Sequence, residues 1–291
     1  MVVQLTRVIS TRFLRVALSL LVLAGLSACS MTELVYGKAD WLARRWVGDL
    51  VDASDAQQAA WREPFEQAML QHRATLLPQV VAWLDRAEDE IGRGLERKGL
   101  QRLIDDVEIL YREHARLAVP LAVRVLQDLS PAQIDYFASE LAERNEEYRE
   151  RYLHEAPAQR RQARFERYAE RIERWTGDLS TIQLAVIKRQ VEAMPDTAEP
   201  WLAYRYQQQR RLLALLRGGA DTTELERFLS AWWIDLADRP AVLVSSGRQL
   251  RLDSIGLFIE LDRQFSAQQR SELIAEIGRV RADLHEIVAM R

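Results

Sequence analysis

Apolar residues recur at intervals of three and four along almost the whole chain, and sustained strict alternation is hard to find. Trp61, Phe65, Ala68, His72 and Leu76 fall on one helical face. Leu100, Leu103, Ile104, Val107, Leu110, Tyr111, His114 and Leu117 make a wider stripe, which Pro120 is expected to end or kink. Phe165, Tyr168, Ile172 and Trp175 continue the rhythm, as do Leu273, Ile277, Val280, Leu284 and Ile287 near the C-terminus. Leu243, Leu250 and Leu257 recur every seventh position, with Ser246, Gly247 and Ser254 between them to admit a close neighbouring helix. These patterns predict an all-α, multi-helix bundle of long amphipathic antiparallel helices, about ten in number, several of them longer than about 18 residues.

Breaks in the pattern are few. Gly177-Asp178, Pro195 to Pro200, Gly218-Gly219 and Pro240 mark turns. The 195–200 stretch is the best candidate for a sub-boundary, and a loop within one bundle is the preferred reading of it.

Four of the predicted helices open on the same device. Ser54/Gln57, Ser130/Gln133, Ser180/Gln183 and Ser266/Gln269 each place a serine three residues before a glutamine, just ahead of an apolar helical pattern. This is the capping box: the serine oxygen accepts an orphan N–H of the first turn, and the glutamine reaches back to the N-cap amide. Pro131 stands at the first helical position, where its missing N–H is harmless.

Composition agrees with long helices. The 12 Gly and 8 Pro among 291 residues are about half their usual share. A 48% hydrophobic fraction is ample for a packed core. The 40 basic and 43 acidic residues are interspersed, which argues against a nucleic-acid partner. The Arg144 to Trp175 stretch matches arginines with glutamates at helical pair spacing, as in Glu147/Arg151 and Glu166/Glu170/Arg174, and reads as a solvated face.

The N-terminus changes the picture most. Arg7, Arg12 and Arg15 precede an uncharged run from Val16 to Ala28, too short to span a bilayer of about 20 helical residues. Leu26-Ser27-Ala28-Cys29 resembles the lipobox of bacterial lipoproteins. That resemblance implies a signal peptide over 1–28, cleavage before Cys29 and fatty acylation (palmitate-type) of its thiol and new amine. A helical periplasmic domain over 29–291 would follow, tethered to a membrane through lipid on Cys29. Ser30 follows the cysteine where an aspartate would imply inner-membrane retention, so the resemblance implies the periplasmic face of the cell outer membrane. Removal of the signal takes three arginines and no acid, leaving 37 basic against 43 acidic residues, formally −6. Cys29 is the single cysteine, so the body folds without disulfides.

Two further resemblances concern the body. Leu129 to Gln133 (L-S-P-A-Q) and Leu179 to Gln183 (L-S-T-I-Q) resemble the L-T-x-x-Q motif of Spy-type periplasmic chaperones, small helical proteins that hold unfolded clients without ATP. More broadly, the lipobox, Tyr36, Trp41, Gln57, His72-Arg73 and the two L-S-x-x-Q turns resemble an uncharacterised proteobacterial lipoprotein family of unknown function, all-helical and with no catalytic residue assigned.

Chemistry-bearing motifs are scarce. No zinc H-E-x-x-H, Walker loop, dinucleotide fingerprint or serine-hydrolase elbow is present. The expectation is no catalytic residue, no metal and no cofactor. His72 and His114 fall on apolar stripes; they could meet on facing helices, and core histidines are the simpler reading. His154 and His285 read as surface residues. Trp232-Trp233 is an interaction candidate, since adjacent residues do not share one face of an α-helix. The expected function is a non-enzymatic envelope lipoprotein that binds a protein or polymer through an amphipathic helical surface. An ATP-independent periplasmic holdase and an envelope hydrolase are the alternatives.

Overall fold

The computed structural model describes residues 36–290. The signal segment, Cys29 and Ser30 lie outside the described residues. Twelve α-helices are present there and no strand: α1 (Ala39–Val51), α2 (Asp55–Ala60), α3 (Arg62–Gln71), α4 (Leu77–Arg93), α5 (Arg97–Gln127), α6 (Pro131–Leu153), α7 (Pro157–Thr176), α8 (Thr181–Ala193), α9 (Ala198–Arg217), α10 (Thr222–Leu229), α11 (Ala241–Asp262) and α12 (Ala267–Ala289). Two π-helical turns, His72–Leu76 and Ser230–Ile234, extend α3 and α10 without a break. The helices therefore join into about ten rods, matching the all-α expectation. Among the described residues no helix is long and apolar enough to cross a membrane.

The element order runs twice. In the first half α1 precedes a capping box at Ser54, and α6 follows one at Ser130. In the second half α7 precedes the box at Ser180, and α12 follows the one at Ser266. The packing repeats as well: α1 lies against α3 and α6, and α7 lies against α8 and α12. The halves then exchange partners, α6 packing on α9 while α12 packs on α4, with α5 meeting α11 between them. This is the reciprocal pattern of a two-fold assembly, here within one chain.

Three apolar clusters form the core. One gathers Trp61, Phe65, Val119, Val123, Phe137, Leu216 and Leu229 around the first pair of boxes. A second gathers Ile172, Ile187, Val191, Leu257 and Leu261. The third joins α4, α5 and α12 through Val80, Leu84, Ile91, Leu110, Ile277 and Val280.

Several local expectations change. Pro120 does not end its helix: α5 runs on to Gln127, held on both sides by the buried Val119 and Val123. Burial of that flank outweighs the hydrogen bond that proline cannot donate. Val107 and Tyr111, placed on the buried stripe by periodicity, are exposed. Gly247 is exposed, and a Cβ there would have no neighbour within 4 Å, so no helix uses it for close approach. Trp232 and Trp233 both pack against the first core cluster. The wider π turn lets adjacent side chains share one side of the rod, which removes the reason for singling them out. In the charged stretch, Arg151 and Arg167 lie over the ring of Tyr152, at 5.4 and 5.5 Å from its centroid.

Candidate functional site

The capping boxes do more than cap. At each box the serine hydroxyl accepts from the glutamine backbone N–H, at 3.1–3.3 Å. Each glutamine Oε1 accepts from its own serine N–H, at 2.8–3.0 Å. The glutamine amides then meet in pairs. Gln57 Nε2 donates to Gln133 Oε1 (3.1 Å) and Gln133 Nε2 donates back to Gln57 Oε1 (2.8 Å). Gln183 and Gln269 do the same, at 2.9 and 3.0 Å. The second amide hydrogen of each goes to the carbonyl two residues before the partner's serine: Asp128, Asp52, Gln264 and Asp178 accept at 2.7, 2.9, 3.1 and 2.9 Å respectively. A primary amide has two donors and two acceptor positions, and each of these four fills all of them. The S-x-x-Q motifs thus have a complete structural role as two clasps that tie loop to loop.

A fifth box, Asp221/Glu224, opens α10 with an aspartate in place of serine and a glutamate in place of glutamine. Another amide pair, Asn145 with Gln209, is buried between α6 and α9, with donor–acceptor distances of 2.6 and 3.3 Å. At the matching crossing of α12 on α4, Arg281 instead binds Asp85 and Glu88.

The histidine cluster is the second arrangement. The π turn begins at His72 and packs against α5, which carries His114. Their rings meet edge to face, centroids 5.1 Å apart. Tyr36 caps the pair: its hydroxyl lies 2.9 Å from His72 Nδ1 and 3.4 Å from the Met69 carbonyl. His114 Nδ1 lies 2.6 Å from the Leu110 carbonyl, an acceptor only, so that nitrogen carries the proton. Burial, reinforced by the charge His114 can carry, lowers the His72 pKa to about 4. Burial raises the Tyr36 hydroxyl to about 12, with Arg73 opposing. A general base works best with a pKa near the working pH. His72 is therefore a weak base at neutral pH, suited to holding a hydrogen bond. Among the described residues no three metal-capable side chains cluster.

Beside the histidines lies an open cleft of about 290 Å³, lined by Tyr36, Gly37, Asp40, Glu66, Met69, Leu70 and Arg73. His154 and His285 are exposed and remote from the pair in sequence and burial. Periodicity places His72 on an apolar face and lets it meet His114, but it gives no sign of the partnership with Tyr36, a residue marked only by the family resemblance. Cys29, the lipidation candidate, is outside the described residues.

Comparison with curated proteins and with solved structures returned no match. A family profile matches residues 43–233, which takes in both facing histidines and three of the four S-x-x-Q boxes. The match covers well over half of the chain, so this protein belongs to that family, a family of unknown function designated DUF6279.

Proposed function

We propose that the chain is a membrane-anchored envelope lipoprotein whose helical body acts by binding a partner, not by catalysis. The anchor reading comes from the lipobox-like Leu26 to Cys29. The observation that carries the binding reading is the exposure of large apolar side chains beside the contact between α5 and α11. Arg251 of α11 binds Glu108 (3.0 Å) and Asp105 of α5. Ile109 and Leu252 each directly follow a residue of the Arg251–Glu108 pair, and they are 52% and 50% exposed. Phe258, 39% exposed, adds further apolar area on α11. Such area at the junction of two rods, rimmed by charge, suits an amphipathic partner.

A photo-crosslinking amino acid placed at Ile109 or Leu252 in living cells tests this. Discrete adducts are expected from both positions and not from the exposed polar Gln268, and Ile109→Lys should diminish the adduct formed from position 252. Adducts that are absent, or identical from all three sites, would refute the binding surface. Anchoring is tested separately: Cys29→Ala should release the protein from the membrane fraction. Ser30→Asp should move it from outer to inner membrane, and an unchanged distribution would refute the outer-membrane assignment.

A further inference from the structure

We propose that the end of the bundle carrying Trp41, Leu70 and Arg73 rests on the lipid headgroup surface of the membrane that holds the anchor. The inference depends on the anchor at Cys29 read above. Tyr36 follows Cys29 by seven residues, and seven residues fully extended span at most about 25 Å. The cleft beside Tyr36 is thereby confined to a shallow layer above the membrane, whatever path the connecting residues take.

The chemistry at that end suits the interface. Trp41 is 48% exposed and Leu70 46%, large apolar side chains that the bundle leaves uncovered. Leu70 and Asp40, the residue before Trp41, line the same cleft. Tryptophan favours the boundary between acyl chains and water, where its ring meets hydrocarbon and its N–H meets headgroups. Arg73 lines the cleft close enough to the Tyr36 hydroxyl to act on its ionisation. Among the described residues neither Arg73 nor Lys38 forms an ion pair, which leaves both cations available to phosphate. Of the two carboxylates in the lining, Asp40 is taken by Arg44 at 3.5 Å, and Glu66 is the one opposing charge. The patch is also firmly presented. Arg44 donates to the Gln58 carbonyl and Tyr36 is bonded to His72, so α1 is docked on the body rather than trailing from it.

The test uses the full acylated chain reconstituted in vesicles of phosphatidylethanolamine and phosphatidylglycerol, with a fraction of the acyl chains brominated to quench nearby tryptophan. Bromolipid should quench part of the emission. Trp41→Phe should reduce the quenched fraction about twofold or more, and Trp201→Phe, on α9, should not reduce it. Arg73→Glu, with Trp41 intact, should also reduce it. Vesicle flotation without quenching, or equal quenching in the Trp41→Phe protein, overturns the surface contact and leaves the anchor standing. Failure to float, with Cys29 unmodified by mass spectrometry, overturns both.

Discussion

Acid titration should expose the buried state of His72. In the folded protein its pKa lies near 4 against an ordinary 6.5, because burial penalises the imidazolium and His114 adds like charge. The groups facing the ring are Tyr36 on one side and His114 on the other, with Arg73 acting on the Tyr36 hydroxyl. Above pH 6.5 His72 is neutral in both states and contributes no pH dependence. Between 6.5 and 4 the unfolded chain binds a proton that the folded chain refuses, so stability falls as the pH falls. At about 1.4 kcal/mol per pH unit, the loss reaches about 3 kcal/mol by pH 4 and then levels off. Urea unfolding of the wild type and His72→Gln at pH 7 and pH 4.5 isolates this contribution, because the other titrating groups are shared. The wild type should lose about 2.5 kcal/mol more than the variant between those two conditions. Parallel pH slopes, or a His72 ring-proton titration centred near 6.5, would refute the reasoning.

Three other expectations concern the amide pairs and one turn. Gln183→Ala and Gln269→Ala should each cost about 2–3 kcal/mol, since each strands its partner's amide, and the double variant should show about 1 kcal/mol or more of coupling in a double-mutant cycle. Asn145→Leu should destabilise by about 2–3 kcal/mol because Gln209 is left buried and unpaired, and adding Gln209→Leu should recover part of that loss in urea unfolding. Gly177→Ala should cost about 1–2 kcal/mol, lowering the melting temperature by a few degrees. Gly177 has φ +72°, and a Cβ there would stand 2.2 Å from the Glu272 carboxylate.

How much of this was legible in advance differs by element. Helix positions and N-termini were, because both are local: the three-and-four spacing of Trp61, Phe65 and Ala68 and the serine-to-glutamine spacing of the boxes act within one or two turns. Pro120 misled for the same reason. A local rule breaks the helix there, while Val119 and Val123, buried against other elements, carry it through. Trp232 and Trp233 misled because the α-helical period was assumed across a turn that is π-helical.

The sequence by itself determined an all-helical body, its capping devices and a lipobox-like N-terminus with a single cysteine. Tertiary structure alone decided which boxes pair, that two histidines 42 positions apart meet under Tyr36, and which apolar residues stay in water. A glutamine that caps its own helix looks the same in sequence whether or not a second amide waits 76 or 86 residues away. Capping is fixed by neighbours along the chain, whereas pairing and exposure depend on where distant rods come to rest against one another.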